Sequence, residues 1–325
     1  MEQMNNEMAS AEAFQPKQTK TFERDERIFR IGKDQDGNGS AKIRFIPSYN
    51  TEKNKLNTFI TKLEHSIEQY SPYTKADGKK DKRFIKKVCP RTIDSKAECP
   101  ICDHGWDNYK DLKAEGNEAE AKKFLKFVNK ERYLTNIQVI EDKNNPENNG
   151  KIFVLEYGNQ LKEIIQKEMQ PSDEDIEERG MQPFNAWDMV KGRYFRLKLT
   201  DGKFTSNGFP SWTESFFSKE SEAHVNGVDE MKEILEKAHV LDEYIAEDKI
   251  ESTEELQSAL EYVTFQNGDK TKTDKKEDAQ SLSSMKTMDD EPKPEPKKEN
   301  SPKKEEQKQE SGVMDSIDDF LADFE

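Results

Sequence analysis

The chain has 325 residues, of which 37% are charged and only 32% hydrophobic, and its formal net charge is −15. That balance leaves too little apolar surface for the whole length to enter a core, so one or two folded domains with unfolded segments are expected. No apolar run approaches the length needed to cross a bilayer, which predicts a soluble protein.

Residues 1–20 are polar, include Met1, Met4 and Met8, and read as a flexible arm that carries at most a short helix. Order is expected from Phe22. Ile28 and Arg30, then residues 42–46, flank the turn-forming run Asp34-Gln35-Asp36-Gly37-Asn38-Gly39-Ser40, a pattern that predicts a β-hairpin. Pro47 lacks a ladder donor and should end the second strand.

The stretch from His65 to Cys102 holds all three cysteines, spaced as Cys89, nine residues, Cys99, two residues, Cys102. A Cys-x-x-Cys pair puts two thiolates on one turn, and Zn(II) takes four N or S ligands at tetrahedral corners, so a third cysteine and one histidine complete a structural site. Pro100 helps fix the bend between Cys99 and Cys102. Two histidines, His65 and His104, compete for the fourth position. An odd cysteine count argues against a disulfide framework, and no secretory signal is visible, so a reducing cytoplasm is expected.

Between these ligands lie Lys75, Lys79, Lys80, Lys82, Arg83, Lys86, Lys87 and Arg91, against only Asp77 and Asp81, with Tyr70, Tyr73 and Phe84 interleaved. The segment reads as a basic loop suited to single-stranded nucleic acid: cations follow phosphates, and rings stack on bases without reading sequence. The acidic total does not oppose this, because the acids gather toward the C-terminal half while residues 75–133 are rich in Lys and Arg.

Further along, helices are expected at 106–127 and 159–169. Strands are expected at 133–140 and 151–157, on either side of a polar loop at 143–150, and at 193–199 before a turn at Asp201-Gly202. Their spacing predicts a small closed antiparallel barrel. Met231, Ile234, Leu235, Ala238, Leu241 and Ile245 share one helical face, and Ser252 with Glu255 forms a capping box that opens a helix through Leu256 and Leu260. Both helices are expected to pack back on the core. Residues 269–311 repeat Lys, Glu, Pro and Ser and read as a disordered linker. In the tip, Asp315, Asp318, Asp319, Asp323 and Glu325 alternate with Met314, Ile317, Phe320, Leu321 and Phe324, a pattern suited to a basic groove.

Taken together these pieces resemble the single-stranded DNA-binding (helix-destabilising) proteins of T-even and related bacteriophages, over about residues 27–267 and more weakly in the tail. The resemblance rests on Gly37 through Ser48, on His65 with Cys89, Cys99 and Cys102, on Asn136 through Ile140, and on Pro146 through Phe153, in that order. It implies an α+β fold: an OB-fold-like antiparallel β-barrel (21–267) with an inserted zinc-binding subdomain (about 62–125), packed helices, a linker at 268–311 and a disordered acidic C-terminal tip at 312–325. It implies one Zn(II) per chain, held by His65, Cys89, Cys99 and Cys102. It also implies a cleft for single-stranded DNA whose candidate residues are Arg44, Phe84, Lys86, Lys87, Phe124, Lys130, Arg132, Tyr133, Tyr157, Phe209 and Trp212. Glu131 interrupts the basic cluster at Lys130 and Arg132, and Lys17, Thr19 and Lys20 stand in the arm where the family carries its basic cooperativity motif.

The function expected is that of a non-enzymatic protein that coats single-stranded DNA and removes its secondary structure during viral replication, recombination and repair, in the cytoplasm of the infected bacterial host. Its expected partners are copies of itself on DNA and, through Asp318, Asp319, Phe320, Leu321, Asp323 and Phe324, a polymerase, a helicase loader and a recombinase. A zinc-ribbon adaptor for RNA or a polymerase subunit is the alternative. No Gly-Lys-Ser/Thr phosphate loop is present, and a four-ligand knuckle leaves no open position for a reactive water.

Overall fold

The computed structural model describes residues 25–50, 53–74, 80–220 and 224–267, with the side chains of 69–83 and 265–267 outside that description. The arm at 1–20, the linker and the tip that the sequence set apart lie outside the described residues.

Among the described residues, nine strands and six α-helices make a mixed α+β fold whose strand ladders are antiparallel. In chain order the elements begin β1 (Gly39–Ile46), β2 (Ser48–Asn50), β3 (Lys55–Asn57), β4 (Ile60–Thr74), β5 (Lys80–Val88), α1 (Pro100–Ala114) and α2 (Glu118–Phe124). They continue β6 (Lys130–Asp142), β7 (Ile152–Tyr157), α3 (Asn159–Met169), α4 (Asp173–Arg179), β8 (Phe195–Leu199), β9 (Phe216–Phe217), α5 (Val228–Lys237) and α6 (Thr253–Asn267).

The organising strand is β6. Its first residues, Lys130–Leu134, pair with β4. Its later residues, Asn136–Asp142, pair with β1, and β7 takes the other edge from Tyr133 to Gln138. The main sheet therefore runs β5-β4-β6-β1-β8-β9, with β7 branching from β6, and among the described residues its ladders do not join end to end into a ring. Beneath it, Phe45, Phe195, Phe217, Trp187, Tyr133, Tyr157, Leu161 and Ile165 form the largest core. Burial of this kind is the main favourable term in folding.

Several expectations change. The turn at Asp34 forms, with its carboxylate accepting the amides of Asp36 and Asn38 and Gly37 at φ 85°. The hairpin around it does not extend: only Lys33 bridges Gly39, and Ile28 instead bridges Val154 of β7 in parallel. The reason is that both edges of β1 are already occupied, by β6 and β8.

The described residues of the basic stretch between His65 and Cys89 form a two-stranded arm, β4 with β5, rather than a loop, while Lys75, Asp77 and Lys79 lie outside the described residues. The helix expected at 106–127 is two, because Gly116 turns left-handed at φ 81° after α1. The single helical face from Met231 to Ile245 also breaks: α5 ends at Lys237, Ala238 is extended, and 241–245 is a short 3-10 turn. Asn136 enforces that break. Its side chain accepts the His239 amide at 3.0 Å and donates to the His239 carbonyl at 2.8 Å, pinning the backbone in a non-helical shape.

The strands expected at 133–140 and 151–157 form β6 and β7, the helix at 159–169 is α3, and Pro47 follows the last residue of β1. No helix among the described residues is long and apolar enough to cross a membrane.

Candidate metal centre and nucleic-acid interface

Along β4 the side chains alternate between two environments, as a strand's period of two requires. Leu63, His65 and Ile67 face a buried cluster with Cys89, Cys99, Ile101, Cys102 and Phe127, closed by Leu256, Leu260 and Val263 of α6. Lys62 and Glu64 point to the opposite face. α6 stands there because its capping box is real: Ser252 Oγ accepts the Glu255 amide and Glu255 accepts the Ser252 amide, each at 3.2 Å.

In the first of these environments, one potential ligand atom from each of His65, Cys89, Cys99 and Cys102 lies within 4.8 Å of the others, and all four residues are buried. His65 Nε2 is 3.2 Å from Cys99 Sγ and 3.7 Å from Cys102 Sγ, and the Cys89 and Cys102 sulfurs are 3.9 Å apart. Four ligands around a zinc-like ion with metal–sulfur bonds of about 2.3 Å leave tetrahedral edges of about 3.8 Å, so the donor set and its size fit one soft metal ion. Pro100 opens α1, placing Cys99 at its N-cap and Cys102 in its first turn.

The surroundings orient the donors. His65 Nδ1 donates to the Phe127 carbonyl at 2.9 Å, which leaves the Nε2 lone pair toward the sulfurs, and Asn129 Nδ2 donates to Cys89 Sγ at 3.3 Å. Side-chain hydrogen bonds from Cys102 and Cys99 hold the Cys89 thiol well below its ordinary range, while the same kind of contact from Cys102 and Cys89 pushes Cys99 up. Burial alone would lower His65; hydrogen bonds to Cys102 and Cys89 outweigh it and raise the imidazole to about 9. His104 is elsewhere, packed edge-on against Phe127 at 4.9 Å and beside Asn108.

The opposite face of the same ladder is ionic. Lys62 and Glu64 of β4, Lys86 of β5, Arg132 of β6 and Glu156 of β7 form one network. Lys62 Nζ lies 3.3 Å from Glu64 and 3.2 Å from Glu156. Lys86 Nζ lies 2.8 Å from Glu156 and 3.4 Å from Glu64, and Arg132 Nε is 3.7 Å from Glu64. Burial would lower Lys86, but Glu156 and Glu64 offset it and hold the ammonium above its usual value; burial would raise Glu156, and Lys62 and Lys86 hold it below. Lys130 lies beside this network, opposite Glu64 in the ladder, and is exposed. Phe84, on the same face two residues before Lys86, is 60% exposed.

The other sequence candidates divide. Tyr133 and Tyr157 are core residues that stack on each other at 5.5 Å, so they offer no open ring; burial raises both phenols. The Tyr133 hydroxyl bonds Glu131 and accepts from Lys162 at 2.7 Å. Phe59, which the sequence reading passed over, packs edge-on against Tyr133 and remains partly exposed. Arg44 is fully buried, its Nη2 donating to the Asp188 carbonyl at 3.1 Å and its guanidinium 5.1 Å from the Tyr194 ring centroid, so it does not face solvent as the resemblance implied.

Lys87 points to the metal side and pairs with Glu251 at 2.8 Å. Phe124 packs on the metal cluster beside His104. Phe209 is 70% exposed on a separate loop. Trp212 is tied to the start of α3, its amide donating to Gln160 at 2.8 Å, and Gly158 at that same helix start leaves room for Arg132: a Cβ there would lie 2.7 Å from Arg132 Nη1.

The ionic residues Lys62, Glu64 and Glu156 were missed by reading the sequence, although strict alternation of Lys62, Leu63, Glu64, His65, Ser66 and Ile67 was a signal for a strand with one wet and one dry face. Asn129 carried no such signal.

Comparison with known proteins places this fold beside DNA-binding relatives. A family model described as "gp32 DNA binding protein like" matches residues 37–264. The single-stranded DNA-binding protein of Enterobacteria phage T4 is 30% identical over 234 residues, 71% of this chain and 68% of that one. The corresponding protein of Enterobacteria phage T2 is 30% identical over 241 residues, 74% of this chain and 70% of the other.

Proposed function

This chain belongs to the gp32-like DNA-binding family, and from that premise we propose that it coats single-stranded DNA and removes its secondary structure during phage replication, recombination and repair. As a member of that family it is a binding protein and not an enzyme. The observation that carries the reading is the solvent side of the β5-β4-β6-β7 ladder, where Phe84, Lys86, Lys130 and Arg132 stand together on strands fixed from behind by the metal cluster. Cations on such a surface follow phosphates, and an exposed ring stacks on a base regardless of its identity.

The path continues to the start of α3, where backbone amides at Gly158 and Asn159 favour an anion, and to Trp212 beyond it. Phe209 extends it as a further exposed ring. Tyr133 and Tyr157 support the surface from inside. On this reading the β-sheet is an OB-fold-type barrel, residues of about 62–125 form an inserted subdomain, and the cluster of His65 and three cysteines holds one Zn(II) as a structural ion. Zinc there supplies folding energy to the subdomain and performs no chemistry.

The acidic tip, with Asp318, Asp319, Phe320, Leu321, Asp323 and Phe324, serves as a tethered ligand for replication and recombination partners, and the protein works in the cytoplasm of the infected cell. The test is a binding isotherm on oligo(dT) at several salt concentrations. Tight, sequence-indifferent binding that weakens steeply with salt is expected; no measurable binding to single strands overturns the proposal.

A further inference from the structure

Three cations, Lys62, Lys86 and Arg132, face two carboxylates, Glu64 and Glu156, which leaves one positive charge in excess. The groups are graded from inside to outside. Glu64 is 3% exposed and Lys62 9%, whereas Arg132 is 32% and Lys86 56% exposed. Lys62 sits between both carboxylates at 3.2 and 3.3 Å and so remains their partner if the outer cations turn away.

The pairing of the outer cations is also incomplete. Arg132 Nε is buried without a hydrogen-bond partner, 3.7 Å from Glu64 Oε1 and beyond hydrogen-bond reach, while Lys86 Nζ holds that oxygen only at the long distance of 3.4 Å. An additional anion at the outer rim would meet Lys86 and the solvent-exposed part of the Arg132 side chain and would neutralise the cluster, and one phosphodiester carries the single negative charge required.

We propose that Lys86 and Arg132, with Glu64 and Glu156 as resident anions, form a site for one backbone phosphate, and that the carboxylates limit it to one. The inference rests on the single-stranded DNA-binding reading and specifies how this surface is metered. Lys86 and Arg132 are the groups that touch DNA; Glu156 and Glu64 act through them, as positioning residues. A surface lacking the two acids would hold DNA more tightly at low salt and release it more abruptly as salt rises.

The charge count makes the test quantitative, because each phosphate neutralised on a single strand contributes about 0.7 to the slope of log affinity against log salt. Glu156→Gln, which keeps an acceptor for Lys86, is expected to steepen the oligo(dT) slope by about 0.7 and to raise affinity several-fold at low salt. Lys86→Met, at an exposed position that the fold tolerates, is expected to lower the slope by about 0.7. The double variant restores the excess of one charge and should return to the wild-type slope.

Glu147→Gln, in the turn at the other end of β6, is the control for charge acting at a distance and should leave the slope unchanged. An unchanged slope in Lys86→Met or Glu156→Gln, a double variant that fails to return, or a Glu147→Gln slope that moves as far as that of Glu156→Gln overturns the site. Wild-type protein with no affinity for oligo(dT) would instead refute the binding function itself, so the two failures are distinct.

Discussion

On one face of β4, Leu63, His65 and Ile67 enter a dry cluster where His65 is held by Phe127 and the sulfurs, and Cys89 by Asn129. On the other face, Lys62 and Glu64 enter an ionic network whose outer members remain half in water. The same strand thus buries polar groups in two ways, one closed and one open to a further ion. The difference teaches that rigidity and responsiveness sit one residue apart, so the metal face sets the geometry from which the ionic face works.

The strongest way to break the comparison is to empty the dry face. Cys99→Ser should abolish stoichiometric zinc binding and open the 89–124 region to protease. The expected loss is large, since structural zinc sites in small peptides bind with roughly 10–16 kcal/mol. Retention of about one zinc per folded chain in that variant would show that Cys99 is not a ligand.

Leu256→Ala comes next. It removes the side chain by which α6 closes the cluster and should cost about 2–5 kcal/mol in denaturant unfolding, with faster loss of metal to a chelator. A variant that is destabilised yet surrenders metal no faster would separate α6 from the metal site.

Phe84→Ala sharpens the contrast from the other side. It should weaken DNA binding by about 1–3 kcal/mol with a smaller effect on thermal unfolding, because the ring is 60% exposed. Unaltered affinity would move base stacking to another ring on this surface. The smallest effect is Ser252→Ala, which should lower stability by about 1 kcal/mol through the lost cap; calorimetry showing no change would mean that Glu255 alone secures the helix start.

The dry face was largely legible in the sequence and the ionic face was not. Cys89, Cys99 and Cys102 announce themselves by spacing, and Ser252 with Glu255 by a rule that acts within four residues, so local chemistry sufficed. Asn136 to Gln138 of β6 and Ile152 to Val154 of β7 alternate around a polar loop and were equally clear.

Lys62 and Glu64 look like solvent-facing residues until β6 and β7 bring Arg132 and Glu156 beside them, and the Lys62–Glu156 pairing spans 94 residues of chain. The β4–β5 arm was taken for a loop for the same reason: its lysines hide a period of two. Arg44 was a cleft candidate through the family resemblance, whereas Asp188 and Tyr194 make a pocket for it. Leu241 and Ile245 keep helical spacing with α5, yet two hydrogen bonds from Asn136 outweigh that local preference. In each case a partner remote in sequence decided the outcome.

The placement of α6 has a consequence for how the protein is made. The last cysteine, Cys102, precedes the first residue of the helix that covers it, Thr253, by 151 positions. At bacterial-like elongation rates of about 5–20 residues per second, the knuckle leaves the ribosome roughly 8–30 seconds before its cover can arrive. During that interval the thiolates are open to solvent and can collect their ion; once α6 docks, exchange requires the helix to lift. A metal ion held there would therefore be loaded during birth and sealed in at its end, so a shortage of metal in the host should be felt by newly made chains and hardly at all by those already complete.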